Sequence, residues 1–543
     1  MSINAQAVNQ GQQQVLSYRW LVTIVVILGA FMSILDQTVV NIAIPRLQNA
    51  FGADIHSVQW VATAYLLTQG AVTPMASYLA NNVGIKRSFI VSLIAFTCGS
   101  VLCGLAWSLP ILILFRILQG LGGAVLLPLS FTMLFREFPP EQRGVALGTL
   151  GVPTLLAPAL GPIVGGYIVT YSDWRVIFFI NLPIGIIAIL LALLFLRESQ
   201  VEQRARFDIP GFLTAAYGLA AILYAVSDST TSGWGSGKVL AFLISGVLSL
   251  LLFVAIEIST ANRGGEPLLD LRLFTNRSFA AGSLALVLFA VAVFGALFLF
   301  PIYLQVLRGQ SAFQAGVTLL PQALAAMVSV LVGGRLVDLI GPRIVALAGF
   351  VILGIATWQL TFMTLHSPYW WIQLMLILLG LALGMTGQPL VVGAMADIRD
   401  PQQVANASTL TTVVRSVGAS VGIAILTTVV QTQTKLHYSH LAEQVTVTSP
   451  LGQLLPRLEA LFTQHGASLQ AARSAALSLI ARFLQQQGYM LALRDGFFIS
   501  IVMIVLAIIA TIFIKDRRRT ASPTPTARTE AQGQPAPEPI LVG

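Results

Sequence analysis

Two charged residues stand where so apolar a chain can least accommodate them. Asp36 lies within "SILDQTVVNIAIP" (Ser33 to Pro45), and Arg116 opens "RILQGLGGA" (Arg116 to Ala124). Each interrupts an apolar run long enough to cross a bilayer, whose ~30 Å hydrocarbon core takes about 20 helical residues. Asp36 falls about 22 Å along a helix that starts near Leu21, and Arg116 about 9 Å into a helix entering from the other side. Their depths match, so an ion pair or a shared water network can form. A charge at such depth usually faces a cavity and marks an ion path or a proton relay. The alternative is a permanent Asp36–Arg116 staple between helices. Burial and a neighbouring guanidinium act on a carboxyl group in opposite senses, and a group balanced in that way can exchange a proton. Asp36 is also the one carboxylate expected deep in a span, since Glu257 and Asp397 fall at span ends.

The surrounding composition explains why those charges are conspicuous. The 543 residues are 56% hydrophobic and 9% charged, with a mean hydropathy of +0.83. Soluble domains carry about 25% charged residues, so this is an integral membrane protein. Helices satisfy their own backbone in lipid, and the alternation of a membrane barrel is absent. The net charge of +9 does not point to nucleic acid, because the basic residues sit in short loops between spans. Cys98 and Cys103 fall within one span, so no disulfide framework follows. No metal site is expected, because no histidine stands in a ligand-like spacing. Nor does the sequence contain GxxxxGK[ST] for nucleotide binding or a GxSxG elbow, so the chain reads as no enzyme. The first 20 residues are polar and run straight into a full span, unlike a cleavable signal.

About fourteen spans are expected, starting near Leu21, Ser57, Phe89, Pro110, Val145, Val176, Ile209, Val239, Phe279, Ala315, Ile344, Trp370, Gln403 and Ala492. Most of the 30 lysines and arginines fall inside when the N-terminus is placed in the cytoplasm, so both termini are expected there. "SYLANNVGIKRSF" after the second span is echoed by "GGRLVDLIGPRIV" after the tenth, pairing Asn81 with Asp338 and Gly84 with Gly341. Parallel repeats of this kind mark secondary transporters with a site between their halves. The expected organisation is a cytoplasmic segment 1–20, a six-helix bundle 21–197, two extra helices and linkers 198–278, a second six-helix bundle 279–514, and a disordered cytoplasmic tail 515–543. Within the second bundle, 432–491 reads as a long extracytoplasmic loop carrying short amphipathic helices that lie on the outer surface.

With the echo in place, the chain resembles the major facilitator superfamily, and within it the fourteen-helix drug:proton antiporter branch of the EmrB/QacA type. "LDQTVVNIAIP", "RILQGLGGA", "APALGPIVGGYI", "WRVIFFINLPIG" and "YLQVLRGQSAFQAGVTLLP" occur in the family's order. The resemblance implies an all-α membrane fold of two six-helix bundles plus two central helices. It also implies proton-coupled export, with Asp36 and Arg116 at the coupling site. The antiporter motif maps to Pro158, Gly161, Pro162, Gly165 and Gly166. The cytoplasmic gate loops map to Asn81, Gly84, Lys86 and Arg87 in one copy and to Gly334, Asp338, Gly341 and Arg343 in the other. The first copy departs from the family pattern, with Asn81 in place of an aspartate, Asn82 in place of an arginine and Ser77 in place of the leading glycine.

Polar residues that could line a cavity are Gln37, Asn41, Gln69, Gln119, Tyr303, Gln305, Gln388 and Arg415, each as well suited to an interhelical hydrogen bond. The expected partners are membrane lipid, protons and a small-molecule substrate that is amphipathic and cationic or neutral. No cofactor is expected, the proton gradient being the energy source. Members of this branch sometimes work with a periplasmic adaptor and an outer-membrane channel, which the long outer loop could meet. Export of one defined metabolite, and a non-transporting receptor or assembly role, remain the alternatives.

Overall fold

A computed structural model describes residues 2–515 apart from 54, 199–206, 264, 266, 399 and 447. The tail expected to be disordered lies outside the described residues. Among those described, the chain forms seventeen α-helices and no strand. The first half comprises α1 (Ser2–Phe51), α2 (Ile55–Val72), α3 (Met75–Asn82), α4 (Ile85–Gly104), α5 (Leu109–Glu137), α6 (Arg143–Tyr171), α7 (Val176–Phe179) and α8 (Asn181–Phe195). Then come α9 (Ile209–Ser232) and α10 (Gly237–Asn262), followed by α11 (Arg277–Ile302), α12 (Ala312–Ile340), α13 (Pro342–Leu360), α14 (Tyr369–Ala394), α15 (Pro401–Glu443), α16 (Pro450–Gln464) and α17 (Leu469–Ile512).

Thirteen of these elements are long and apolar enough to cross a membrane. The span expected near Ser57 is present as α2 and α3, which are separated by a turn at Thr73–Pro74. Its polar content, including His56, Gln59, Thr68 and Gln69, suits a helix that packs on α5 and α9. The sequence signals for helix ends are used as expected. Asp208 and Asp400 cap α9 and α15 with a proline in the first turn, and Ser311 and Gln314 form a reciprocal capping box on α12. The two echoed loops share a backbone device: Gly84 and Gly341 have φ of 98° and 93°, a region that favours glycine.

In the first half α1 packs on α5, α6 and α8, and α4 on α5 and α8. In the second, α11 packs on α15 and α17, and α14 on α12 and α13. The halves meet chiefly through α6 against α12. One apolar core runs through both halves at the end carrying the echoed loops, from Val22 and Phe89 across to Phe350 and Ile514. At the opposite end each half has a separate core, one around Leu35, Val61 and Phe178, the other around Phe300, Tyr303 and Phe497. The bundle is therefore joined at one end and divided at the other.

The segment 432–491 differs from expectation. Only α16 is a separate short helix there. Residues 469–491 are the first part of the 44-residue α17, and α15 continues to Glu443. The two long helices pack together: His437 Nε2 meets Asp495 Oδ2 at 2.8 Å, and Gly488 lies against the Thr434 carbonyl and the Tyr438 amide. No proline interrupts 469–512, and its Ala, Leu, Gln and Arg are all good helix formers, so the helix has no reason to stop where hydropathy falls.

Close helix packing depends on a few glycines. A Cβ on Gly384 of α14 would press on the α12 backbone, 2.7 Å from the Ala326 carbonyl oxygen. On Gly354 its nearest neighbour would be 3.8 Å away. Gly384→Ala should therefore cost about 1–3 kcal/mol through overpacking, while Gly354→Ala should be neutral or stabilise by up to about 1 kcal/mol. Thermal unfolding of both variants in detergent checks the pair, and equal midpoints would refute this packing.

Candidate proton-coupling site

Asp36 is buried on α1 in the divided end of the first half, and its carboxylate is held by three side chains from two other helices, α5 and α8. Arg116 Nη1 on α5 donates to Oδ2 at 2.5 Å. Gln119 Nε2, one turn further on, donates to Oδ1 at 2.9 Å, and Asn181 Nδ2 at the start of α8 donates to the same oxygen at 2.9 Å. The side chains of Arg116 and Asp36 are 1% and 0% exposed. Burying two ions costs several kcal/mol each unless geometry and further hydrogen bonds offset it, and here those bonds exist. Arg116 Nε reaches the Val61 carbonyl at 3.0 Å, and Nη1 also reaches Gln119 Oε1 at 2.7 Å. Its guanidinium lies over Tyr65, 4.2 Å from the ring centre. Tyr65 in turn shares a hydrogen bond with Ser33 at 3.1 Å.

The matched depth of Asp36 and Arg116 is thus realised as direct contact. The sequence reading did not single out Asn181 or Tyr65. Asn181 stands inside the quoted "FFINLPIG", and a lone amide in that apolar run was the available signal. It is itself held by Ser100 Oγ, which accepts from Nδ2 at 3.0 Å.

The antiporter-motif glycines bring α6 against this same stretch of α1. A Cβ on Gly161 would run into Thr38, and one on Gly165 would meet the Val39 carbonyl at 3.3 Å. Gly166 has open space beside it, and Pro158 is exposed. Pro162 lies within α6, its side chain outside the described residues.

Other residues named from the sequence divide between cavity and scaffold. Gln37 Nε2 donates to Gln69 Oε1 at 3.0 Å, and Gln69 Nε2 to the Gly123 carbonyl at 3.2 Å, a chain beside the central pair. Asn41 and Gln305 are exposed. Gln388 is buried with Oε1 lacking a hydrogen-bond partner. Arg415 on α15 faces the other half, 6.0 Å from the Phe131 ring centre. Tyr303 is buried in the core of the second half and donates to the Thr364 carbonyl at 3.2 Å.

At the joined end the echoed loops bridge the two halves. Asp338 accepts from the amides of Gly144 and Val145 at 2.8 and 3.0 Å, which places a carboxylate at the N-terminus of α6, where the helix dipole favours it. Gly334 lies against Gly144 and Gly148. Gly341 forms the turn into α13, and Arg343 is half-buried in that helix's first turn. In the other copy Asn81 Oδ1 accepts from Arg136 Nη2 at 3.2 Å, and the same nitrogen donates to the Pro401 carbonyl of α15 at 2.8 Å. Lys86 donates to the Leu193 carbonyl, and Arg87 pairs with Glu198 at 3.3 Å beside the Gly84 turn. Both contacts keep within the first half.

Comparison with known proteins agrees with this architecture. Residues 26–423 match the family model described as Major Facilitator Superfamily. The chain is 34% identical over 404 residues to a multidrug resistance protein B homolog of Mycobacterium tuberculosis, covering 74% of each chain. It is 29% identical over 503 residues to the multidrug export protein EmrB of Escherichia coli, covering 90% of this chain and 94% of that one. Among solved structures it resembles the human organic anion transporter MFSD10, with a TM-score of 0.56 at 13% identity over 90% of this chain and 99% of that one. At that identity the likeness concerns the fold alone.

Removing one partner of a buried pair leaves an uncompensated charge and costs about 3–5 kcal/mol. Asp36→Asn and Arg116→Gln should each destabilise on that scale. The double variant should lose clearly less than the two losses added together. A thermal-unfolding double-mutant cycle reads the coupling, and additive losses would mean that the pair is not coupled.

Proposed function

We propose, from the premise that the chain belongs to the major facilitator superfamily and is a multi-pass membrane transporter rather than an enzyme, that it exports amphipathic small molecules in exchange for protons. The observation that carries this reading is Asp36, an ionisable group sealed inside the apolar bundle beside the α1–α6 contact. A carboxylate so placed, with Arg116, Gln119 and Asn181 as its side-chain donors among the described residues, keeps its charge only while those donors stay in register. Rocking the halves moves α1, α5 and α6 relative to α12, α14 and α15. A proton entering from the divided end would bind a carboxyl oxygen of Asp36 and break its bond to Arg116. Opening the joined end would then release that proton on the other side.

With both termini in the cytoplasm, the joined end would be the inner side and the divided end would face outward. Asp338 and the Asn81–Arg136 contact then act as latches that must part before the inner side opens. One proton per cycle would draw on the membrane potential, about 2.3 kcal/mol per charge per 100 mV. Relatives named as multidrug export and multidrug resistance proteins support a drug-like substrate, cationic or neutral. The extension formed by α15, α16 and α17 would project outward, where a periplasmic adaptor could meet it.

The test is proton release from energised inverted vesicles on addition of a lipophilic cation, comparing native protein with Asp36→Asn. The native protein should respond. The variant should not, while still binding the cation. Equal responses would make Asp36 a structural staple, and no response from either would turn the reading toward an exporter of one defined metabolite.

A further inference from the structure

Among the described residues, two carboxylates away from the Asp36 centre converge with no cation beside them. Glu257 on α10 is 1% exposed, and Asp208 caps the start of α9. Each spends one oxygen on a backbone amide. Asp208 Oδ1 accepts from Gly211 at 2.9 Å, and Glu257 Oε2 accepts from Leu269 at 3.3 Å. The second oxygen of each, Asp208 Oδ2 and Glu257 Oε1, is buried and has no hydrogen-bond partner. Both point at one spot: a Cβ on Gly211 would lie 2.5 Å from the first and 2.7 Å from the second.

The charged groups around them do not neutralise the pair. Asp270 on the following linker is a third carboxylate near Glu257, and it accepts from the Arg272 amide at 3.0 Å. The Arg272 guanidinium turns instead to the Ala261 carbonyl. Two ionised carboxylates cannot share a buried pocket without a counter-charge; one of them holds a proton or a cation lies between them. A hard metal cation takes about six or more oxygen ligands, whereas among the described residues two buried carboxylate oxygens here lack a partner. A hydrogen bond needs only those two.

We propose that Asp208 and Glu257 bind a single shared proton, held as O–H···O between Glu257 Oε1 and Asp208 Oδ2. The pair then carries one negative charge rather than two. The proton clasps the start of α9, the end of α10 and the linker 267–270. That linker continues to the gate: the Leu268 carbonyl accepts from Ser77 Oγ on α3 at 2.9 Å, one residue from the amide that binds Glu257. Ser77, which departs from the family pattern in its loop, thus has a partner outside the first six-helix bundle. Losing the proton would set two anions against each other and loosen the linker from α3. Folding that binds a proton is favoured below the pH at which the folded site releases it, and the stabilisation is lost as pH rises through that point. This site stands independently of the proposed coupling at Asp36.

Infrared titration of the full-length protein in lipid nanodiscs tests it. At neutral pH the native protein should show a protonated-carboxyl band that bleaches as pH rises. The band should be missing in both Glu257→Gln and Asp208→Asn, because one proton belongs to both residues. It should persist in an Asp36→Asn/Arg116→Gln background. The thermal midpoint of native protein should fall toward alkaline pH, and that slope should vanish in Glu257→Gln, whose amide replaces the bridging O–H. A band that survives in either single variant, or is absent from native protein, overturns the proposal. If a single variant does not fold, native protein alone still decides: a midpoint independent of pH, or an alkaline loss rescued by sodium but not by a bulky organic cation, overturns the shared proton.

Discussion

The structure depends on the cost of keeping a carboxylate out of water. Asp36 has no solvent to turn to, so its ionised form exists only because Arg116, Gln119 and Asn181 converge on it from α5 and α8. Those side chains are fixed in turn by the Val61 carbonyl, the Tyr65 ring and Ser100. Half of the first bundle is thereby tied to one group. Glycines at 161 and 165 let α6 close against α1 at the same level, so a shift of α6 is felt beside the carboxylate. Charge compensation and helix packing are here the same contact, and a conformational change that alters one must alter the other.

The two ends of the bundle show how such a change could be held in check. At the joined end a single core spans both halves, and the polar contacts across it carry their charge on different partners. Asp338 accepts two amides at the start of α6, and hydrogen bonds to an ionised acceptor are roughly twice as strong as neutral ones. The contact through Asn81 involves a neutral amide and a backbone carbonyl, with Arg136 between them. In this contact the charged group is thus the Arg136 guanidinium of α5 rather than a carboxylate in the loop. At the divided end the described buried residues form two separate cores, one in each half, whereas at the joined end one core spans both.

The elements added to the two bundles are integrated with them. Helix α9 packs against α2 and α15 as well as α10, touching both halves, and the linker after α10 reaches α3 through Ser77. At that junction Asp208 and Glu257 each keep a buried carboxylate oxygen without a hydrogen-bond partner. The long helices α15 and α17 run on together past their spans and are joined there by His437 and Asp495, so the extension moves with the second bundle's own helices.

By itself the sequence determined the membrane class, the helical spans and their order, the glycine turns of the echoed loops, and the equal depth of Asp36 and Arg116. Each of these follows from local properties: apolar run length, a backbone conformation that favours glycine, and a fixed rise per residue. Only the tertiary structure decided which polar side chains complete the buried pair. Gln119 and Gln388 read alike as amides in apolar runs, yet Gln119 joins the pair while the carbonyl oxygen of Gln388 finds no partner, and Asn181, which also joins it, was not distinguished from the apolar run around it. Tyr303 read equally as a cavity residue or an interhelical hydrogen bond, and it is packed in a core with its hydroxyl on the Thr364 carbonyl, because depth along a helix says nothing about the direction a side chain faces. The continuity of α17 was hidden for a related reason. Hydropathy reports where a helix leaves lipid, whereas helix propensity and packing against α15 decide where it ends. Two carboxylates separated by 49 positions, Asp208 and Glu257, meet only because α9 and α10 fold back on each other, and no local pattern encodes that distance.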